Sequence, residues 1–252
     1  MIILNGWYGF LGNNIIQLSN IIHIAIIHKH NIIFNVKHKL FDLSIIERYF
    51  SKYNNSKKLS DRYNFFYKNK LPYSNNIFEQ NIDERNKLLQ NAFLIKNVTK
   101  LPENDLVIHI RSGDIFSSNP HPEYVPPPLS YYINEIDIFN KINKCNNRKI
   151  HIISQDTVNP VVNELLKLYK NSVYQKNTLE TDIRVILGAT NIIFSIGTFV
   201  PSLIRLSDNI EYIYGSKSSR NVDEMKEYYK IMHPWKNTKV QRDYILNYKY
   251  NQ

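Results

Sequence analysis

In "LVIHIRSGDIF", Leu106 to Phe116, an apolar run gives way to His109, Arg111 and Asp114, with Gly113 among them. The apolar part reads as a strand, and a strand that ends in charge and a flexible glycine usually ends at something. Arg111 can grip a phosphate through two parallel N–H bonds, and Gly113 lets a ligand approach the backbone. Asp114 is near enough in sequence to orient Arg111 or His109. In the competing reading Arg111 and Asp114 simply pair at the rim of a sheet. An exposed pair contributes only about 0–1 kcal/mol, so stability is a poor reason for having it. A lone strand histidine such as His109 is most often structural.

Outward from this stretch, strands and helices alternate. "DLVIHI" is followed by a helix over "PLSYYINEIDIF" opened by Pro128, the strand "KIHIIS", and the helix "NPVVNELLKLY" with Pro160 early, where its missing N–H is harmless. Then come the short strand "SVYQ", a helix "TDIRVILGA" capped by Thr181, the strand "NIIFSI", a helix opened by "TFVPSLIRLS" and the strand "EYIYG". This alternation predicts an α/β fold with a parallel sheet covered on both faces and ligands at the carboxyl ends of its strands. Nearer the amino terminus, "MIILNGWYG", the helical spacing of Ile15, Leu18, Ile22, Ala25 and Ile26, and "NIIFNV" read as a βαβ opening. Residues 51–76 turn polar and read as an insertion or loop, and a helix is expected from Asp83 to about Phe93. The expected organisation is an N-terminal α/β half over 1–100, a nucleotide-binding half over 101–215, and a helical tail over 216–252 that packs back on the first half.

At 252 residues and 43% hydrophobic the chain can bury a real core. The opening residues lack a basic region, which argues against a signal peptide. The apolar run Ile15–Ile27 is broken by Gln17, Ser19, Asn20 and His23, so it cannot span a membrane, and a cytoplasmic location is expected. The single cysteine, Cys145, excludes an internal disulfide framework or a cysteine zinc site and sits in a polar stretch where a reactive role is not expected. A formal net charge of +10 implies attraction to polyanions, whether nucleic acid, anionic lipid or a phosphorylated small molecule. A bias toward Ile, Asn, Lys and Tyr, the residues of AT-rich codons, explains part of that charge equally well.

Two further strand ends carry unusual residues. In "GFLGNN", Gly9 and Gly12 permit positive φ or close backbone approach, and Asn13 offers an amide at a helix start, where an anion is favoured; ordinary turn chemistry explains the same residues. In "FSIGTFVPS", Ser195, Gly197 and Thr198 follow a strand and begin a helix, giving either an anion site or a helix capped by Thr198. Asp182 reads as a base-reading carboxylate or as a favourable charge in the first turn of its own helix.

Taken together and in order, "GFLGNN", His109-x-Arg111-x-x-Asp114 and "SIGTF" resemble the motifs of the fucosyltransferase superfamily of α1,2-, α1,6- and protein O-fucosyltransferases. The resemblance runs from Gly9 to Phe199. It implies a GT-B-like fold of two Rossmann-type halves and an inverting, metal-independent glycosyltransferase. GDP-fucose is then the donor substrate, a glycan hydroxyl the acceptor, and there is no other cofactor. By the family's motifs Arg111 would hold the β-phosphate and stabilise departing GDP, with His109 nearby. Gly12, Asn13, Ser195, Gly197, Thr198 and Phe199 would line the nucleotide sugar, and Asp182 would meet the guanine edge. The chain departs from the family in having Ser112 where many members have a second arginine, and "GNN" for the commoner "GNQ". The base is open among Asp114, Glu123 and His121, and the loop with Pro126–Pro128 reads as a lid or a plain loop. No D-x-D motif is present, so arginine and helix N-termini must supply the positive field. The alternatives are another nucleotide sugar on the same fold, a family member that binds donor without turnover, or a basic nucleic-acid-binding protein. Charge is the only support for the last, since the chain lacks a basic helix, a zinc pattern and an RNP-type strand.

Overall fold

The computed structural model describes residues 1–54, 57–60, 63–73, 80–143, 148–174, 176–215 and 223–249; Cys145 lies outside them. The chain divides into two compact units, Met1–Asn97 with Thr198–Ser207, and Val98–Gly197 with Asp208–Gln252.

Unit 1 is a βαβ unit with helices packed on it. β1 (Ile2–Leu4) pairs in parallel with β2 (Ile32–Phe34), Ile2 opposite Ile32, and α1 (Leu11–His28) crosses between them. The two-stranded sheet is extended by one bridge from Ile2 to Leu59, so the expected first Rossmann-type half is reduced among the described residues. α1 is buried nearly all round, with Ile15, Leu18, Ile21, Ile22 and Ala25 in the core. Three of the polar residues that interrupt its apolar run have structural partners. Gln17 donates to Asn64 O at 2.5 Å and accepts from Tyr8 N at 2.6 Å, Asn20 donates to Phe65 O at 2.8 Å, and Ser19 accepts from Arg205. Gln17 and Asn20 thereby satisfy backbone groups of the loops beside α1. α2 (Leu43–Phe50), absent from the sequence reading, is capped by Asp42, whose carboxylate accepts from Ser44 N at 3.1 Å. α3 (Ile82–Ala92) and the short α7 (Phe199–Leu203) pack on α1.

Unit 2 is the sheet that the alternation predicted. Its five strands are all parallel, in the order β5 (Ser172–Tyr174), β4 (Ile150–Ile153), β3 (Leu106–His109), β6 (Asn191–Phe194), β7 (Tyr212–Tyr214). β3 is central, with Ile108 opposite both Ile152 and Ile193. Leu106, Val107 and Ile108 are all buried, as a strand covered on both faces requires. Leu106, Ile108 and Ile110 share a core with Tyr132, Ile136 and Phe139 of α4 (Leu129–Asn143) and Val161, Val162 and Leu165 of α5 (Pro160–Leu168). Asn159 caps α5 with Pro160 in its first turn. α6 (Leu179–Gly188) starts three residues earlier than a cap at Thr181 would place it. Its cap is Thr178, which accepts from Thr181 N at 3.3 Å, so Thr181 is a recipient of the cap rather than the cap itself.

The tail forms α8 (Asp223–Met232) and α9 (Lys239–Asn247), the latter opened by a capping box of Thr238 and Gln241. α9 packs on α4 and α5, and the tail belongs to unit 2, whereas the sequence places it on the first half. Trp235 anchors it, fully buried with its indole N–H on Ile115 O at 2.6 Å. No helix of the described residues is long and apolar enough to cross a membrane.

Candidate functional site

The strand order of unit 2 fixes where a ligand can sit. From β3 the chain moves to β4 and β5 on one side, then returns to β6 and β7 on the other. Connections therefore diverge between β3 and β6, and the carboxyl ends of these two strands flank the crevice where open α/β sheets bind ligands. Ser195 N donates to His109 O at 3.0 Å, which carries the β3–β6 ladder to its last residues. Immediately beyond come Arg111 on one side and Gly197 on the other.

Arg111 is fixed on three sides. Nε and Nη2 donate to the two Asp114 carboxylate oxygens at 3.3 and 2.7 Å, and the guanidinium carbon lies 4.1 Å from the centre of the Tyr124 ring. Nη1 lies 2.8 Å from where a Cβ on Gly197 would stand. The side chain is 20% exposed and that of Asp114 51%. The pairing of Arg111 with Asp114, one of the two readings of the motif, is thus present. It holds a planar cation in a set orientation at the switch point, and Nη1 makes no hydrogen bond to a described residue. Gly113 turns the chain with φ +62° into the 3-10 turn Gly113–Phe116 that carries Asp114 back toward Arg111.

Ser112 faces the other way and is 2% exposed. Its hydroxyl donates to the Asp156 carboxylate and accepts from Asn159 N at 3.0 Å, while Asn159 Nδ2 donates to Arg111 O at 2.9 Å. An arginine at this position would have to be buried. Asp156 and Asn159 were not singled out from the sequence; the signal was present in "SQDTVN" directly after β4.

His109 ends β3 half-buried, and burial first, then the positive charge of Arg111, lower its pKa to about 4. It is neutral near pH 7 and adds no positive charge of its own. Ser195 is buried beside Tyr132, and neither hydroxyl makes a hydrogen bond of full geometry; burial raises the Tyr132 phenol far above its ordinary value. Asp182 sits half-buried in the first turns of α6, with its pKa raised by burial against a hydrogen bond from Asn177. Together with Asp156 it raises the pKa of Tyr174 at the end of β5, where burial is the larger cause. Asp182 and Asp156, Arg111 and Gly197 thus all follow the carboxyl ends of strands of one sheet.

The remaining predicted residues belong to unit 1. Thr198 donates to Asn13 Oδ1 at 2.6 Å and makes no side-chain cap on the five-residue α7. A Cβ on Gly12 would lie 2.7 Å from the backbone of Thr198 and Phe199, and Ser202 Oγ donates to Gly12 O at 2.8 Å. Gly12 therefore serves the close packing of α1 on the start of α7. Gly9, at φ +66°, makes the turn before α1. Phe199 begins α7 half-buried. Among the described residues no three His, Cys, Asp or Glu side chains stand together as metal ligands.

No protein-family model matches the chain, and no curated protein does. Among solved structures it is similar to POFUT1 in complex with GDP, at 10% identity and a TM-score of 0.47, over 85% of this chain and 98% of that one. It is also similar to NodZ alpha-1,6-fucosyltransferase soaked with GDP-fucose, at 10% identity and a TM-score of 0.41, over 82% of this chain and 92% of that one.

Proposed function

We propose that unit 2 binds the diphosphate of a nucleotide sugar at the β3–β6 switch point, and that the chain is a glycosyltransferase with GDP-fucose as donor. The observation that carries the reading is Arg111, clamped by Asp114 and stacked by Tyr124 above a glycine at the one place in the sheet where ligands are expected. Side-chain packing alone gives no reason to hold a guanidinium there. The three ordered motifs of the sequence supply the donor class.

The chemistry follows from the charge. As the bond between the sugar C1 and the diphosphate oxygen breaks, the electron pair leaves with GDP. The acceptor hydroxyl oxygen attacks C1 from the opposite face and gives up its proton, so the configuration inverts. Negative charge grows on the β-phosphate, and a preorganised guanidinium is most effective where that charge develops. Nη1, which makes no hydrogen bond to a described residue, is the donor for it. Asp114 is engaged by Arg111, which leaves Glu123, paired with His233 Nε2 at 3.0 Å, and His121 as the candidate proton acceptors. Asp182, with a raised pKa, suits a hydrogen-bonding role at the guanine edge.

A thermal-shift panel of GDP, GDP-fucose, GDP-mannose, UDP and UDP-glucose tests this. A ligand at about a hundred times its Kd stabilises by roughly 2.7 kcal/mol, a rise of several degrees for a chain of this size. Shifts with the guanosine ligands, abolished in Arg111→Ala, are expected. Shifts with uridine ligands would keep the site and change the donor, and silence throughout would remove the nucleotide reading.

A further inference from the structure

We propose that unit 1 holds a small oxyanion, a sulfate or phosphate group, between Arg85 of α3 and Arg205 of the 3-10 turn Ile204–Leu206 that follows α7. Arg85 is 8% exposed, yet among the described residues its only hydrogen-bond acceptor is the neutral side chain of the next residue: Nε and Nη2 both donate to Asn86 Oδ1, at 3.1 and 2.9 Å. Arg205 is half-buried and donates from Nη1 to Ser19 Oγ of α1 at 3.0 Å, also a neutral acceptor. α3 packs on the turn that carries Arg205, which brings the two cations near each other inside one unit.

Neither guanidinium forms an ion pair with a described residue. The carboxylates closest in sequence to Arg85 are otherwise placed: Asp83 is exposed, and Glu84 accepts from the Tyr49 hydroxyl at 2.5 Å. Burial lowers the pKa of both arginines, and the charge of Arg205 lowers that of Arg85 further, to about 10. Buried charges in proteins are paired, because desolvation without a counter-charge is costly, and two of one sign side by side compound that cost. Arg85 Nη1 and Arg205 Nε and Nη2 make no hydrogen bond to a described residue. A tetrahedral oxyanion accepts from two such planar forks at once, and with Arg85 only 8% exposed the group it meets is small. The inference is independent of the nucleotide reading, since none of these residues belongs to unit 2.

The test is the thermal midpoint of the full chain at constant ionic strength, with chloride replaced stepwise by sulfate or by inorganic phosphate. A parallel series with glucose 6-phosphate separates a free ion from a phosphate ester. The expected result is a saturable rise of several degrees with sulfate or phosphate. It is retained in Arg111→Ala, where the nucleotide site is disabled, and lost in Arg85→Met and Arg205→Met. Arg85→Lys, which keeps the charge without the fork, is expected to need about tenfold more anion. A response to the ester at lower concentration than to inorganic phosphate would assign the oxyanion to a larger molecule. The proposal is overturned if sulfate, phosphate and the ester act no differently from chloride, or if both methionine variants respond as the wild type does. Arg205, being only half-buried, carries the test should Arg85→Met fail to fold.

Discussion

Gly197 leaves the space that Arg111 occupies: a Cβ on it would stand 2.8 Å from Arg111 Nη1, and its backbone φ of +105° is one that side chains rarely adopt. Gly197→Ala is therefore expected to displace the guanidinium and to strain the backbone by about 1–3 kcal/mol. GDP affinity by calorimetry should fall at least tenfold in a protein that still folds. Wild-type affinity in this variant would mean that Arg111 does not need its present orientation.

Arg111→Lys separates charge from geometry. A lysine keeps the positive charge but cannot span both oxygens of Asp114 and still present a further donor. Turnover is expected to drop by about 10²-fold or more, the scale seen when one preorganised donor to a developing oxyanion is removed. Activity equal to wild type would reduce the role of Arg111 to a point charge.

Ser112 joins the end of β3 to the loop before α5. Ser112→Ala leaves the half-buried Asp156 carboxylate and the buried Asn159 N–H without that partner, an expected loss of about 1–3 kcal/mol in urea unfolding. Ser112→Arg, which would place a second arginine beside Arg111 at a position only 2% exposed, is expected to unfold unit 2 rather than to improve catalysis. A soluble, more active Ser112→Arg protein would contradict the packing described above.

His109 makes stability fall in acid. Its folded pKa of about 4 lies below the ordinary 6.5, so the unfolded chain takes up the proton first. Its share of stability is complete above pH 6.5 and declines as pH drops toward 4, by at most about 3 kcal/mol. His109→Gln should flatten that part of the profile in urea titrations between pH 7 and 4. His30, whose pKa burial also lowers to about 4, should leave a residual slope. An unchanged difference between wild type and variant across this range would count against a buried neutral His109.

Gly12 and Gly6 lie in the same amino-terminal stretch and should behave oppositely. Alanine at Gly12 meets the Thr198–Phe199 backbone at 2.7 Å, and overpacking against backbone is expected to cost about 1–3 kcal/mol. At Gly6 a Cβ meets nothing within 4 Å, so Gly6→Ala should change the thermal midpoint little. Equal effects at the two positions would remove the packing role of Gly12.

Periodicity was enough to find the sheet of unit 2, because "LVIH", "IHII" and "NIIF" are buried on both faces and read as strands without knowledge of their neighbours. Arg111, Gly113 and Asp114 were legible for the same reason: a strand end is a local feature, and their clamp closes within three residues. Pro160 in the first turn of α5 was likewise read correctly from its own backbone chemistry. The α6 cap was misplaced by three residues because Thr178 and Thr181 offer the same hydroxyl, and only the turn geometry chooses between them.

By itself, then, the sequence determined an α/β chain with alternating strands and helices and an arginine at the end of its central strand, all consequences of side-chain pattern over a few residues. What only the tertiary structure decided are relationships between distant positions. Thr198 meets Asn13 across 185 residues and so is no helix cap, and Ser112 meets Asp156 across 44 and so is core rather than site. Gly12 serves helix packing, and Arg85 is buried near Arg205 without an ion pair to a described residue. Hydrogen bonding and burial depend on which segments the fold brings together, and no local pattern carries that information.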